Sequence, residues 1–165
     1  MKRLTGVILL AGLCGGMAEI MWVAIYSAMT PTSGMEVARQ ISASVFPAMA
    51  DASAAAPVGI AVHLLLSLVL AGVFTVAVWL PYSRKLKLAP ALLVAVAALS
   101  GVWAINFFVV LPILNPAFVV LMPYAATFFS KILFGIAMGW HLAFFAGSSL
   151  RRSNKTIFLQ QATGT

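Results

Sequence analysis

Four polar side chains stand inside long apolar stretches of the sequence. They are Glu19, His63, Asn106 and Lys131. A charged side chain in the middle of a bilayer costs about 3 kcal/mol or more unless it is paired, protonated or facing water. A carboxylate beside an imidazole can pass a proton or hold a cation, and an ammonium can hold an anionic group. These four residues are therefore the candidates for chemistry.

The apolar stretches that carry them are long enough to cross a membrane. Of the 165 residues, 63% are hydrophobic and 8% are charged, whereas a soluble domain is about 25% charged. A bilayer requires about 20 apolar residues, and spans are predicted at residues 4–29, 58–80, 90–111 and 124–147. The sequence predicts an all-α integral membrane protein: an antiparallel bundle of four transmembrane helices in one domain, residues 1–150, followed by a polar cytoplasmic tail, residues 151–165.

The first stretch starts like a secretory signal peptide, with Lys2 and Arg3 ahead of an apolar run. The run continues through Trp22 to Tyr26, so we expect it to be kept as a spanning helix. Cys14 lies inside this run and is the one cysteine of the sequence. An intrachain disulfide is therefore excluded.

Two connecting segments have patterns of their own. In the loop at residues 30–57, Val37, Ile41, Val45 and Met49 recur at every fourth position, which predicts a short amphipathic helix. Two placements stay open for it, on the outer membrane surface or packed as a lid over the bundle.

The elbow at residues 112–123 contains Asn115-Pro116-Ala117, the tripeptide that aquaporins carry twice. Because it occurs once here, an elbow that lies in the membrane interface, with the Asn capping a helix start, is favoured over a water channel.

The basic residues predict the orientation. The net charge is +7, but the bases cluster at the ends of the spans, which argues against a nucleic-acid partner. Eight of them lie on one side of a four-span arrangement, at positions 2, 3, 84, 85, 87, 151, 152 and 155, whereas Arg39 lies on the other side. The positive-inside rule then places both termini in the cytoplasm of a cell with an inner membrane.

Two glycine pairs predict close helix packing. Gly12 and Gly16 in the first span, and Gly135 and Gly139 in the fourth, both form GxxxG patterns. Glu19 follows one turn after Gly16, so we expect it to point into the bundle. The glycine faces can be used inside the bundle or left free for another chain.

The four polar residues are expected at similar depth in the outer half of the membrane, counting about 1.5 Å per helical residue. One buried cluster is therefore predicted, and two interpretations stay open. The cluster is either a satisfied network, in which Glu19 pairs with Lys131 while His63 and Asn106 complete the hydrogen bonds, or a site that handles a proton or a cation.

Other sites are disfavoured. Haem ligation by both histidines is rejected because His63 and His141 should lie about 18 Å apart along the membrane normal. The stripe Cys14, Met17 and Met21 resembles a Cu(I) ligand set but is more typical of packing. No metal and no cofactor are expected.

The sequence favours a non-enzymatic membrane protein that packs with itself or with a larger membrane complex in the lipid bilayer. A small transporter or proton- or cation-handling protein is the alternative, and an enzyme ranks third.

Overall fold

The computed structural model describes the backbone of residues 2–82 and 88–163 and the side chains of residues 4–81 and 88–144. In this part of the chain every regular element is helical, and four helices are long and apolar enough to cross a membrane. The all-helical class and the four membrane-length helices are confirmed. The side chains of the bases used above for the orientation, other than Arg39, lie outside the described residues.

Six helices follow one another in residues 2–82 and 88–163. They are α1 (Lys2–Met29), α2 (Gly34–Val45), α3 (Ala55–Phe74, continued by Thr75–Trp79 and Leu80–Tyr82), α4 (Leu88–Ile105, continued by Asn106–Val110 and Leu111–Leu114), α5 (Pro116–Leu121) and α6 (Tyr124–Thr163). A short 3₁₀ turn, Pro47–Met49, lies between α2 and α3. The backbone of α6 continues as helix into the stretch predicted as a polar tail.

The last turns of α3 and α4 are widened into π-helix for a common reason. The amide of Leu80 bonds to the carbonyl of Thr75, five residues back, and Leu111 bonds to Asn106 in the same way. A proline follows directly in each case. Because a proline ring clashes with the carbonyl four residues before it, widening the turn moves that carbonyl aside and lets the helix continue.

The short helices α2 and α5 start at residues that cap them. Ser33 accepts a hydrogen bond from the amide of Glu36, at 3.4 Å, to begin α2. Asn115 accepts one from the amide of Phe118, at 3.3 Å, to begin α5, with Pro116 in the first turn. Both starts follow the usual preference for Ser and Asn at the N-cap.

The long helices pack in a fixed order, in which α6 contacts both α1 and α4, and α1 also contacts α3. The GxxxG glycines lie at these contacts. A Cβ added at Gly12 would stand 2.9 Å from the Cα of Leu68 on α3, and one at Gly135 would stand 2.8 Å from the Cα of Val96 on α4. Their companions Gly16 and Gly139 face the same two helices. Both small-residue faces are therefore occupied within the chain.

The loop helix α2 is packed tightly against α3. A Cβ at Gly59 would overlap the carbonyl oxygen of Ala38, so backbone lies on backbone here. The buried residues of α2 are Val37, Ala38 and Ser42, whereas Val45 is 49% exposed. The buried face is therefore shifted from the predicted stripe, because Gly59 brings Ala38 to the contact.

Two groups of buried apolar side chains fill the bundle. The terminal core lies where α1 begins and consists of Val7, Ala11, Ala71, Phe74, Trp79, Ala91, Ala95, Leu99, Phe134, Met138 and Leu142. The loop core lies where α2 and α5 pack and consists of Val37, Phe107, Leu111, Phe118, Met122 and Ala126. Side chains on the outside of the helices are apolar and exposed, for example Leu93 at 71%, as lipid-facing surfaces require.

Candidate functional site

Glu19 lies at the contact between α1 and α6 and is only 4% exposed. One helical turn earlier, Gly15 has no side chain, and a Cβ there would stand 2.6 Å from the ring of Phe134. Phe134 is fully buried in the space that Gly15 leaves. Gly15 thus brings α6 close enough to reach Glu19. Gly15 does not belong to the GxxxG pattern of Gly12 and Gly16, which face α3, so the sequence pattern gave no sign of its role.

Both carboxylate oxygens of Glu19 have partners on α6. The Nζ of Lys131 donates to Oε2 at 2.8 Å. The Oγ of Ser130 lies within hydrogen-bond distance of Oε1, at 3.0 Å, and its one proton is shared with the carbonyl oxygen of Thr127, at 2.8 Å. The ammonium also stands 5.5 Å from the centre of the Phe134 ring, within the range of a cation–π contact. The carboxylate and the ammonium cancel each other's charge, so the pair can be buried in an apolar bundle.

His63 reaches the same carboxylate from α3. Its Nε2 lies 3.7 Å from Oε2 of Glu19 and 3.3 Å from the carbonyl oxygen of Gly16. Because a carbonyl oxygen only accepts, Nε2 must carry a proton for the Gly16 contact to be a hydrogen bond. Gly16 permits this approach because α3 lies directly against it. The structure therefore brings Glu19, His63 and Lys131 together from three helices.

Asn106 stands apart from this group. It starts the widened turn of α4, and in the described part of the chain it has no hydrogen bond or ion pair with Glu19, His63 or Lys131. The helix order separates Asn106 from Glu19 and His63, because α4 packs mainly against α6, whereas Glu19 and His63 lie on α1 and α3. The polar tie from α4 is made instead by Trp103, whose Nε1 donates to Oγ1 of Thr127 at 3.0 Å.

A second polar group joins the two short helices. The side-chain amide of Asn115 donates to the backbone and side-chain oxygens of Gln40, both at 3.0 Å, and to Oγ of Ser44 at 3.1 Å. Gln40 in turn donates to Glu36 at 2.8 Å. Asn115 therefore caps α5 and holds α2 at the same time. The N-cap pattern could be seen in the sequence, but its bond to α2 could not.

An apolar cavity of about 450 Å³ lies away from the ionic cluster. It is lined by Cys14, Ile136, Ala137, Trp140, His141 and Phe144. The cavity brings Cys14 near His141 but includes neither Met17 nor Met21. Within the described residues, no three His, Cys, Asp or Glu side chains could hold a metal ion together.

No protein-family model, curated protein or solved structure matches this chain. Its site has the chemistry of a neutral ion pair with a titratable neighbour. Glu19 and Lys131 hold α1 and α6 together, while His63 on α3 contacts the same carboxylate.

Proposed function

We propose that this chain is a non-enzymatic, multi-pass protein of the inner membrane whose four spans form an antiparallel bundle. The Glu19–Lys131 pair ties the bundle together, and the bundle serves by packing with itself or with a larger membrane complex. Both termini lie in the cytoplasm in this proposal, with α2 and α5 on the outer side, as the distribution of the ten bases favours.

One observation carries the proposal: both oxygens of the buried Glu19 are already bonded, to Lys131 and Ser130. A carboxylate that binds a transported cation needs free lone pairs facing a path for the ion. Here the Lys131 ammonium occupies the place that a cation would take. An occupied and neutralised carboxylate favours a role in holding helices over a role in carrying ions.

Contacts with a partner would use the outward-facing apolar side chains in this proposal. Both GxxxG pairs pack against helices of the same chain. This motif often joins helices of two chains, but here it is not free to contact a partner. Apolar side chains such as Val73 and Leu93 are 61% and 71% exposed. These surfaces suit either lipid or the helices of another membrane protein.

A second candidate function is the handling of protons, and His63 favours it. The Nε2 atom of His63 lies 3.7 Å from Oε2 of Glu19. At this distance the negative carboxylate attracts a positively charged imidazolium. A bundle that only needed a tie between α1 and α6 would not require an ionisable group on α3 at this position.

A flux measurement separates the two candidates. Purified protein is reconstituted in liposomes that contain a pH-sensitive dye, and a proton gradient is imposed with a potassium diffusion potential. The scaffold role predicts the same dye response as in protein-free liposomes. A faster response that the His63→Gln variant abolishes would contradict the scaffold role and establish proton handling.

A further inference from the structure

His63 stands between two acceptors that its Nε2–H could serve. The carbonyl of Gly16 lies at 3.3 Å and Oε2 of Glu19 at 3.7 Å. A small tilt of the ring exchanges one contact for the other. The neutral imidazole is stabilised by its hydrogen bond to the Gly16 carbonyl. An imidazolium would be stabilised more by the Glu19 carboxylate, because a charge-assisted hydrogen bond is stronger than a neutral one.

The carboxylate can neutralise one cation at a time. Lys131 already donates to the same oxygen, Oε2, that faces His63. If His63 took up a proton while Lys131 stayed in place, the buried cluster would carry a net positive charge, which an apolar surrounding disfavours. One of the two cations would then have to withdraw.

Lys131 is the cation that can withdraw. Its side chain and that of His63 are similarly exposed, at 16% and 17%, so the difference between the two cations lies in the length of their side chains. A lysine has a long flexible stem that can carry its ammonium toward a polar surface while the stem stays on apolar side chains. The His63 ring has no such reach, because it is rigid and joined to the backbone through a single methylene group.

We propose that Glu19, His63 and Lys131 form a proton-binding site in which protonated His63 replaces Lys131 as the counter-ion of Glu19. One proton from the aqueous phase binds the free ring nitrogen, Nδ1, and no other covalent bond changes. The exchange moves the ionic tie of α1 from α6 to α3. The inference rests on the helix-tying role proposed above for Glu19 and adds a proton-dependent choice of partner.

No other charged group of the described chain competes for His63. From α1 it faces Glu19, and from α6 it faces Lys131. The helix α2, which packs against α3, carries Glu36 and Arg39; Glu36 accepts a hydrogen bond from Gln40, and Arg39 is exposed. Within its described side chains, α4 contributes no ionisable group.

The test removes Lys131 and asks whether pH then controls stability. The melting temperature of the full chain in detergent is measured near pH 5.5 and near pH 8, on either side of the ordinary histidine pKa of about 6.5. The Lys131→Gln variant is expected to melt about 3 °C or more higher at the lower pH, because His63 then pairs with Glu19. The double variant Lys131→Gln/His63→Gln is expected to lose this difference.

The other histidine of the chain supplies the matched control. Lys131→Gln/His141→Gln should keep the pH difference of Lys131→Gln. An equal pH dependence in the single variant and in the His63 double variant would overturn the proposal. A third outcome separates this inference from the proposed function. If Glu19→Gln destabilises the protein but the melting temperature of Lys131→Gln does not depend on pH, Glu19 holds the helices together and only the exchange of Lys131 for His63 is refuted.

A second measurement covers the case in which Lys131→Gln does not fold. Histidine rings are isotope-labelled in the unchanged protein and in the double variant Glu19→Gln/Lys131→Gln, in which no buried charge is left unpaired, and their resonances are followed against pH. The midpoint of His63 is expected to change while that of His141 stays. An unchanged His63 midpoint would overturn the proposal.

Discussion

The two cores of the bundle are held together by different means. In the terminal core four fully buried alanines, Ala11, Ala71, Ala91 and Ala95, let the helices approach closely, and large side chains such as Phe134 fill the space between them. In the loop core large aromatic side chains meet, and hydrogen bonds such as that from Trp22 to the carbonyl of Ala126, at 2.9 Å, join separate helices. The ionic cluster of Glu19 lies between them.

The difference follows from the solvent. Burying apolar surface gains little in lipid, so helices associate either by close van der Waals contact or by hydrogen bonds. The terminal core uses close contact, which glycine and alanine allow. The loop core has shorter helices that cannot interlock along a long seam, and it uses hydrogen bonds at defined atoms. The two halves should therefore respond to different substitutions.

The largest effect is expected at the cluster that joins the two halves. Glu19→Gln removes the ionic bond between α1 and α6, and the Lys131 ammonium must either stay without a counter-ion or move to a polar surface. The variant should therefore lower the free energy of unfolding by about 3 kcal/mol. The melting temperature in detergent measures this, with His141→Ala as the comparison, since His141 has no described ion pair. The double variant Glu19→Gln/Lys131→Gln should recover part of the loss. Equal and small effects of Glu19→Gln and His141→Ala would mean that Glu19 is not buried and paired.

A methyl group placed in the seam of the terminal half should have the next largest effect. Gly135→Ala puts a Cβ 2.8 Å from the backbone of α4 and should cost about 2 kcal/mol through overpacking. Gly101→Ala is the matched control, because nothing lies within 4 Å of a Cβ there. The control should be neutral or slightly stabilising, as alanine favours helix over glycine. The melting temperatures of the two variants test this prediction. Equal values would contradict the explanation that the terminal core is held together by close backbone contact.

The smallest global effect is expected in the loop half. Asn115→Ala removes the bonds to Gln40 and Ser44 and should cost about 1 kcal/mol. Its local effect should be larger, with faster hydrogen exchange across Gly34–Val45, because α2 loses its link to α5. Hydrogen exchange with mass spectrometry measures this. Asn106→Ala is the control, and the same exchange pattern in both variants would contradict the role of Asn115.

Much of the fold could be predicted from the sequence because membrane spans are local features. Gly59, His63, Ser67, Ala71 and Thr75 recur at every fourth position of the second span, and all of them except the half-buried His63 are buried. The grouping of polar residues was only partly accessible. Asn106 has the type and depth expected for the cluster, yet the helix order keeps it away. Neither residue type nor depth contains the information on which helix stands beside which.

The helical class and the four apolar, membrane-length helices follow from the sequence alone. Span length and hydropathy are local properties that do not depend on which helices lie beside one another. Only the tertiary structure decided that Gly12 and Gly16 face α3 while Gly15 admits Phe134 of α6. Successive helical residues point about 100° apart, so adjacent glycines serve different neighbours. That choice of neighbours places Lys131, Ser130 and His63 around Glu19.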